Sequence, residues 1–238
     1  MKNLIPAWSA FCFVAVLCDS ALADIYTYSH NFETSVGTEW SQTTLSTTPI
    51  GGRNFLGEFG SETVTLTLND LPAHTDVIIL FDLFILKSWD GQGPEHNPSG
   101  PDIWSIAVDN TYLTFMTTFS NHSSINHFEK PQKYPNQWPD GSDVPAFTGA
   151  SEINTLGYYH PDSDTLAMDA VYAMSFAFEH TDESLAVHFS GTLTNQIWNE
   201  SWGLDHMSAQ VVPAPSAVLL CSIGMTCSSW LLKRKRMM

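Results

Sequence analysis

The chain has 238 residues, room for one medium domain with targeting segments at its ends, and a formal net charge of −16 from 25 acids and 9 bases. Five of the bases, Lys2, Lys233, Arg234, Lys235 and Arg236, lie at the termini; between Asp24 and Val212 only Arg53, Lys87, Lys130 and Lys133 stand against 24 acids, a net of −20. So acidic a body repels phosphate backbones and excludes nucleic-acid binding, while 43% apolar and 12% aromatic residues exclude intrinsic disorder.

Lys2 opens a short charged region, Ala7 to Leu17 forms an apolar run, and Ala21-Leu22-Ala23 supplies the small residues that signal peptidase requires. Residues 1–23 therefore read as a secretory signal peptide cleaved before Asp24. Cys12 and Cys18 lie in this segment and Cys221 and Cys227 near the other end, so the body between them has no cysteine. That excludes a disulfide framework there, together with thiolate chemistry and Cys-ligated zinc. An exported domain of this kind rests on its core, with or without a metal ion.

From Asp24 to Val212 strand signals dominate. Thr63 to Leu68 alternates strictly between threonine and apolar residues, which at a period of two gives one wet and one buried face. Val77 to Leu86 is a long apolar run, and Ile103 to Val108, Tyr112 to Met116, Tyr172 to Phe178, Leu185 to Ser190 and Trp202 to Val211 follow. Asn69-Asp70-Leu71-Pro72, Asp109-Asn110 and His180-Thr181-Asp182-Glu183 carry turn chemistry. Many short strands without helical periodicity predict an all-β fold, an antiparallel β-sandwich of jelly-roll-like form.

Two carboxylates flank the loop after the apolar run. Lys87-Ser88-Trp89-Asp90-Gly91 ends that run and Gly100-Pro101-Asp102-Ile103-Trp104 begins the next strand. Paired as a hairpin, these strands would set Asp90 opposite Asp102, and like charges so placed require a proton or a cation between them. Calcium suits such oxygen ligands, with loop carbonyls completing a coordination of ~6–8. Two solvated loop acids are the plainer alternative.

Ser120 to Asp169 has few strand-like runs and is punctuated by Pro131, Pro135, Pro139, Pro145 and Pro161. Loops of that length are usually functional, and Asn121, His122, Tyr134 and Trp138 make a candidate polar-aromatic ligand face within it. Trp89, Trp104, Trp198 and Trp202 are further candidate sugar-stacking platforms, although Trp104 starts a strand and reads as core. No Gly-x-Ser-x-Gly elbow, His-Glu-x-x-His helix or phosphate loop occurs, so the residues give no catalytic signature.

In the last strand Leu204 and Met207 break the alternation of Met207, Ala209 and Val211, which predicts a bulge at Asp205-His206. The early Phe32-Glu33 and late Gly203-Leu204-Asp205-His206-Met207 resemble exported jelly-roll domains of the carbohydrate-binding-module and MAM type. That resemblance implies that Glu33 and Asp205 are ligands of a structural calcium or other cation. Whether they join Asp90 and Asp102 in one metal site stays open in the spacing.

Residues 213–238 begin Pro213-Ala214-Pro215, continue as an apolar stretch from Ser216 to Leu232, at the lower limit for a transmembrane helix, and end in Lys233-Arg234-Lys235-Arg236. With Val212 this layout resembles a PEP-CTERM sorting signal, departing from it at Ala214 where that family has Glu. The resemblance implies a tail handled by an exosortase-type enzyme, and a protein of the envelope, cell surface or extracellular matrix. The expected function is non-catalytic binding of carbohydrate or exopolysaccharide, with a structural calcium. A purely structural envelope component and a polysaccharide-active hydrolase or lyase are the alternatives.

Overall fold

The computed structural model describes residues 26–92, 100–122 and 130–214. The expected signal peptide, transmembrane segment and basic tail lie outside these residues. Eleven strands are present among them: β1 (Thr27–His30), β2 (Leu45–Thr47), β3 (Asn54–Phe59), β4 (Thr63–Leu68), β5 (His74–Lys87), β6 (Ile103–Val108), β7 (Thr114–Thr118), β8 (Glu152–Ile153), β9 (Asp169–Glu179), β10 (Leu185–Thr192) and β11 (Glu200–Pro213). No helix of the described residues is long and apolar enough to cross a membrane.

The strands form two sheets. The larger has the order β2-β3-β11-β5-β9-β8, with β1 on the second half of β11; the smaller has the order β4-β10-β6-β7. Every pairing between these strands is antiparallel. The period of two explains which faces meet. On β4, Val64, Leu66 and Leu68 are buried while the threonines between them point outward; on β5, Val77, Ile79, Phe81, Leu83 and Ile85 point inward. Phe81 of the larger sheet meets Trp104 at 5.9 Å and Phe189 at 5.2 Å from the smaller one, so the two inner faces share one core. This is a β-sandwich.

The long apolar run of β5 has a second cause. Phe84 and Leu86 point away from the main core, but Leu156 and Tyr158 lie over them, with Phe55 and Val171 completing a separate apolar cluster. Buried Asp169 holds that covering segment by accepting the backbone N–H groups of Leu156, Gly157 and Tyr158 at 3.0, 3.0 and 3.1 Å. A strand covered on both faces loses its alternation.

Among its described residues the proline-rich stretch before β9 contains only the strand β8, and one side chain orders much of the rest. The buried Gln132 Oε1 accepts the Ser120 N–H, the Phe147 N–H and the Tyr172 hydroxyl, and its amide nitrogen donates to the carbonyls of Tyr134 and Thr148. β3 escapes the sequence pattern because Gly57 sits in it at φ 153°, where the register against β11 shifts. The predicted bulge in the last strand is present: His206 has φ 48° and the register shifts between Asp205 and Ser208. The first strand ends at His30, just before Phe32 and Glu33.

Candidate metal centre and binding loop

Lys87 closes β5 with φ 67°, which turns the chain out of the sheet and delivers Ser88, Trp89 and Asp90 to the end of the sandwich. Trp89 anchors the turn by donating its indole N–H to the Ser201 carbonyl at 2.8 Å. Gly91 follows at φ 74°, and a Cβ there would meet the Pro131 carbonyl oxygen at 2.2 Å, so only glycine fits. Its carbonyl accepts the Asp102 N–H at 3.1 Å, and the Asp90 N–H donates to Asp102 Oδ2 at 2.6 Å. The two acids therefore meet as expected, but not through a hairpin: β5 and β6 belong to opposite sheets, and the tie is made by loop backbone at the sandwich end.

The third member is Glu200, the first residue of β11. One oxygen each from Asp90, Asp102 and Glu200 lie within 4.8 Å of one another, and these are the sole acids so grouped among the described residues. Asp90 is 5% exposed, and Asp102 and Glu200 are not exposed at all. Burial, with Asp90 nearby, raises the Asp102 carboxyl to about 6. Burial, with Asp102 facing it, raises Glu200 to about 8. Lys130 Nζ contacts Asp90 Oδ1, so one ammonium compensates three carboxylates and two negative charges need protons or a divalent cation.

The donor set fits a hard cation. Beside the triad, three buried side-chain oxygens have no hydrogen-bond partner, Gln92 Oε1, Asn121 Oδ1 and Asn199 Oδ1. Gln92 lies two residues beyond Asp90, Asn199 directly precedes Glu200, and Asn121 donates its backbone N–H to the Trp89 carbonyl at 3.1 Å. Carboxylate and amide oxygens without nitrogen or sulfur are the ligands that calcium takes.

The same acids fix the loop that leads into β11. Asp102 Oδ1 accepts the backbone N–H and the hydroxyl of Thr194 at 3.2 and 3.0 Å. Glu200 accepts the Asn195 N–H at 3.0 Å and its side-chain amide at 2.6 Å. Lys87 Nζ donates to the Ile197 carbonyl at 2.9 Å and the Ser88 N–H to the Asn199 carbonyl at 2.9 Å. On this pinned backbone Ile197 and Trp198 are 43% and 59% exposed, and the indole N–H donates to Gln196 Oε1 at 3.2 Å.

The other candidate residues lie elsewhere. Glu33 is exposed and its carboxylate accepts the Asn54 amide at 3.1 Å. Asp205 is buried on the outer side of the larger sheet, 3.6 Å from Arg53 Nη2 and 3.2 Å from His206 Nδ1; the same guanidinium reaches Glu152 at 2.9 Å and Asp82 at 3.6 Å. Neither acid joins the triad, because Asp205 is compensated by Arg53 where the bulge places it.

The expected ligand face of Asn121, His122, Tyr134 and Trp138 does not assemble. Asn121 is fully buried, with its amide committed to the carbonyls of Ile85 and Lys87. Tyr134 has its ring against Phe119 at 5.0 Å and Tyr172 at 5.1 Å, leaving no face for a ligand. His122 and Trp138 are half-buried, the latter with its backbone N–H on the Met116 carbonyl at 2.8 Å. Trp89, Trp104 and Trp202 are core residues. Glu200 had one sequence signal: it shares the inward phase of Trp202 and Leu204, an acid where an apolar residue belongs.

No protein-family model matches the chain. No curated protein matches it either. Among solved structures it is similar to an exo-beta-1,3-galactanase from Phanerochaete chrysosporium, with 11% identity and a TM-score of 0.33 over 77% of this chain and 29% of that one. A family GH115 4-O-methyl-alpha-glucuronidase with specificity for decorated arabinogalactans gives 9% identity and a TM-score of 0.35 over 79% of this chain and 18% of that one. The CBM22-1 xylan-binding domain of Paenibacillus barcinonensis Xyn10C gives 13% identity and a TM-score of 0.34 over 81% and 97%. The chain thus spans less than a third of the two enzymes. What the site can do follows from its own side chains.

Proposed function

We propose that the chain is an exported, surface- or matrix-associated β-sandwich of jelly-roll-like form that binds neutral carbohydrate without transforming it, with a structural calcium at Asp90, Asp102 and Glu200. The observation that carries this is the 194–199 loop, whose backbone is pinned to buried acids while its Ile197-Trp198 tip is left in solvent. A restrained, exposed indole loses little conformational freedom on binding, and its flat face suits the apolar face of a pyranose ring. The body's charge of −20 disfavours polyanionic glycans and leaves neutral ones.

Asp90, Asp102, Glu200 and the orphaned oxygen of Asn121 would hold the ion. Such an ion would supply positive charge to a buried acidic site, whose acids fix the 194–199 loop. The triad's near-complete burial suits a structural role better than contact with substrate. The signal-like residues 1–23 and the sorting-like residues 213–238 support export and handling by an exosortase-type enzyme.

A glycan array probed with the domain and with Trp198→Ala tests the binding role. Retention of neutral glycans by the wild type, weakened at least tenfold in the variant, is the expected result. Equal retention by both removes Trp198 from the role. Release of reducing or unsaturated sugar ends would point to a hydrolase or lyase instead, and ordered self-assembly without glycan retention to a structural component.

A further inference from the structure

At the opposite end of β5 two buried histidines form a unit that the proposed function does not use. His74, the first residue of β5, is 3% exposed, and His180, just past β9, is 6% exposed. His74 Nε2 lies 2.7 Å from His180 Nδ1, with the rings stacked at a centroid distance of 5.0 Å and an interplanar angle of 20°. His74 Nδ1 lies 2.6 Å from the Pro72 carbonyl oxygen.

These contacts determine where the protons are. A carbonyl oxygen only accepts, so His74 Nδ1 carries a hydrogen, and in a neutral ring Nε2 is then the bare nitrogen. The bond between the rings must therefore be donated by His180 Nδ1–H. Two neutral imidazoles satisfy all these contacts. With His180 as the Nδ1–H tautomer, a proton added to His74 Nε2 would set N–H against N–H at 2.7 Å, and one added to His180 Nε2 would keep these contacts but place a cation in a buried site.

Several carboxylates flank the pair. The turn after β9 brings Asp182, whose carboxylate accepts the Asn110 amide at 3.4 Å, and the Ser184 backbone; both favour the charged form of His180. Burial and the His74 ring oppose it and prevail, holding His180 below the ordinary histidine value. From β5, Asp76 is engaged by the Thr75 hydroxyl at 2.7 Å. From β9 comes the Phe178 ring, edge-on at 6.4 Å, with Glu179 exposed. Asp70 and Glu183 are exposed in the flanking turns, and β11 contributes Pro213, opposite His74, which does not titrate.

The pair also sits where several chain ends are tied. The His180 N–H donates to the Thr75 carbonyl at 3.0 Å, the Leu71 N–H to Glu183 at 2.9 Å, and the Ala214 N–H to Ala73 at 3.3 Å. We propose that the His74–His180 pair is an acid-released latch on this end of the sandwich: closed while both rings are neutral, and opened by proton uptake so that the end of β11 and the turn after β9 loosen together. An opened ring has an ordinary histidine affinity for protons, so opening below about pH 6.5 gains up to ~tenfold per pH unit for each proton taken up.

Amide hydrogen exchange on the full chain tests this, with rates corrected for their intrinsic pH dependence. Protection at Leu71, His180 and Ala214 should fall at least tenfold between pH 7.5 and pH 5 in the wild type and in the control His188→Gln, whose half-buried ring on β10 faces Thr65 and Asp109. In His180→Phe it should not change with pH. An unchanged acid response in His180→Phe, or none in the wild type, overturns the proposal. Nitrogen-15 NMR of the wild-type imidazoles stands independently of any variant: both rings must be Nδ1–H tautomers at pH 7.5, and an Nε2–H tautomer on either ring refutes the latch.

Discussion

β5 and β11 run antiparallel for 14 residues each, roughly 45 Å, and each end of this pair buries titratable groups of opposite kind. At one end Glu200 and Asp102 are acids in a site with too few cations; at the other, burial and the His74 ring disfavour the charged form of His180. The first end is stable when something positive is added. The second is stable when nothing is. The contrast shows how one buried strand pair can carry groups that favour added positive charge at one end and disfavour it at the other.

The largest expected effect lies at the acidic end. Because Asp102 and Glu200 are raised in the fold, the stability they contribute as protonated carboxyls is complete below their unfolded values and is lost as pH rises through about 6 and then about 8. With a chelator present, the protein should lose on the order of 5 kcal/mol between pH 5 and pH 9, read from the urea midpoint. Calcium should restore most of it at pH 9 and little at pH 5, since at pH 5 protons already occupy the site. Glu200→Gln should flatten both the alkaline loss and the calcium response. Melting curves that coincide with calcium and with chelator at pH 9 would remove the ion from the site.

A smaller effect tests the backbone that holds the triad. Gly91→Ala sets a Cβ against the Pro131 carbonyl at a positive φ, and should cost at least about 2 kcal/mol and weaken calcium binding with it. An unchanged melting temperature would mean that Asp90 does not depend on this turn. The smallest concerns the imidazole end. His180 is depressed, so its contribution is complete above about pH 6.5 and is lost as pH falls below that, on the order of 1 kcal/mol per pH unit, with or without calcium. Calcium that shifted this acid limit would show that the two ends are coupled.

Much of the sandwich was legible along the chain. Thr63–Leu68 and Ile103–Val108 are strands with the predicted bounds, and the positive φ of Asp70 and Asn110 falls in two of the predicted turns, because both features depend on neighbours two or three residues apart. β3 was not legible, since Gly57 interrupts its alternation, and the length of β5 was understated because it begins and ends in polar residues, His74-Thr75-Asp76 and Lys87. At the candidate site, Asp90 and Asp102 could be paired from the loop between them. Glu200 lies 98 positions beyond Asp102, and nothing local ties them.

The sequence by itself therefore determined the export-like ends, the cysteine-free acidic body, the all-β class and the bulge at Asp205. Only the tertiary structure decided which acids share a site and which tryptophan stays in solvent. Alternation is set by the pleat of a single strand, whereas three carboxylates meet only when two sheets close on each other and bring the ends of distant strands together. The same closure excludes water around those oxygens, and that exclusion makes ordinary acids require protons or a cation.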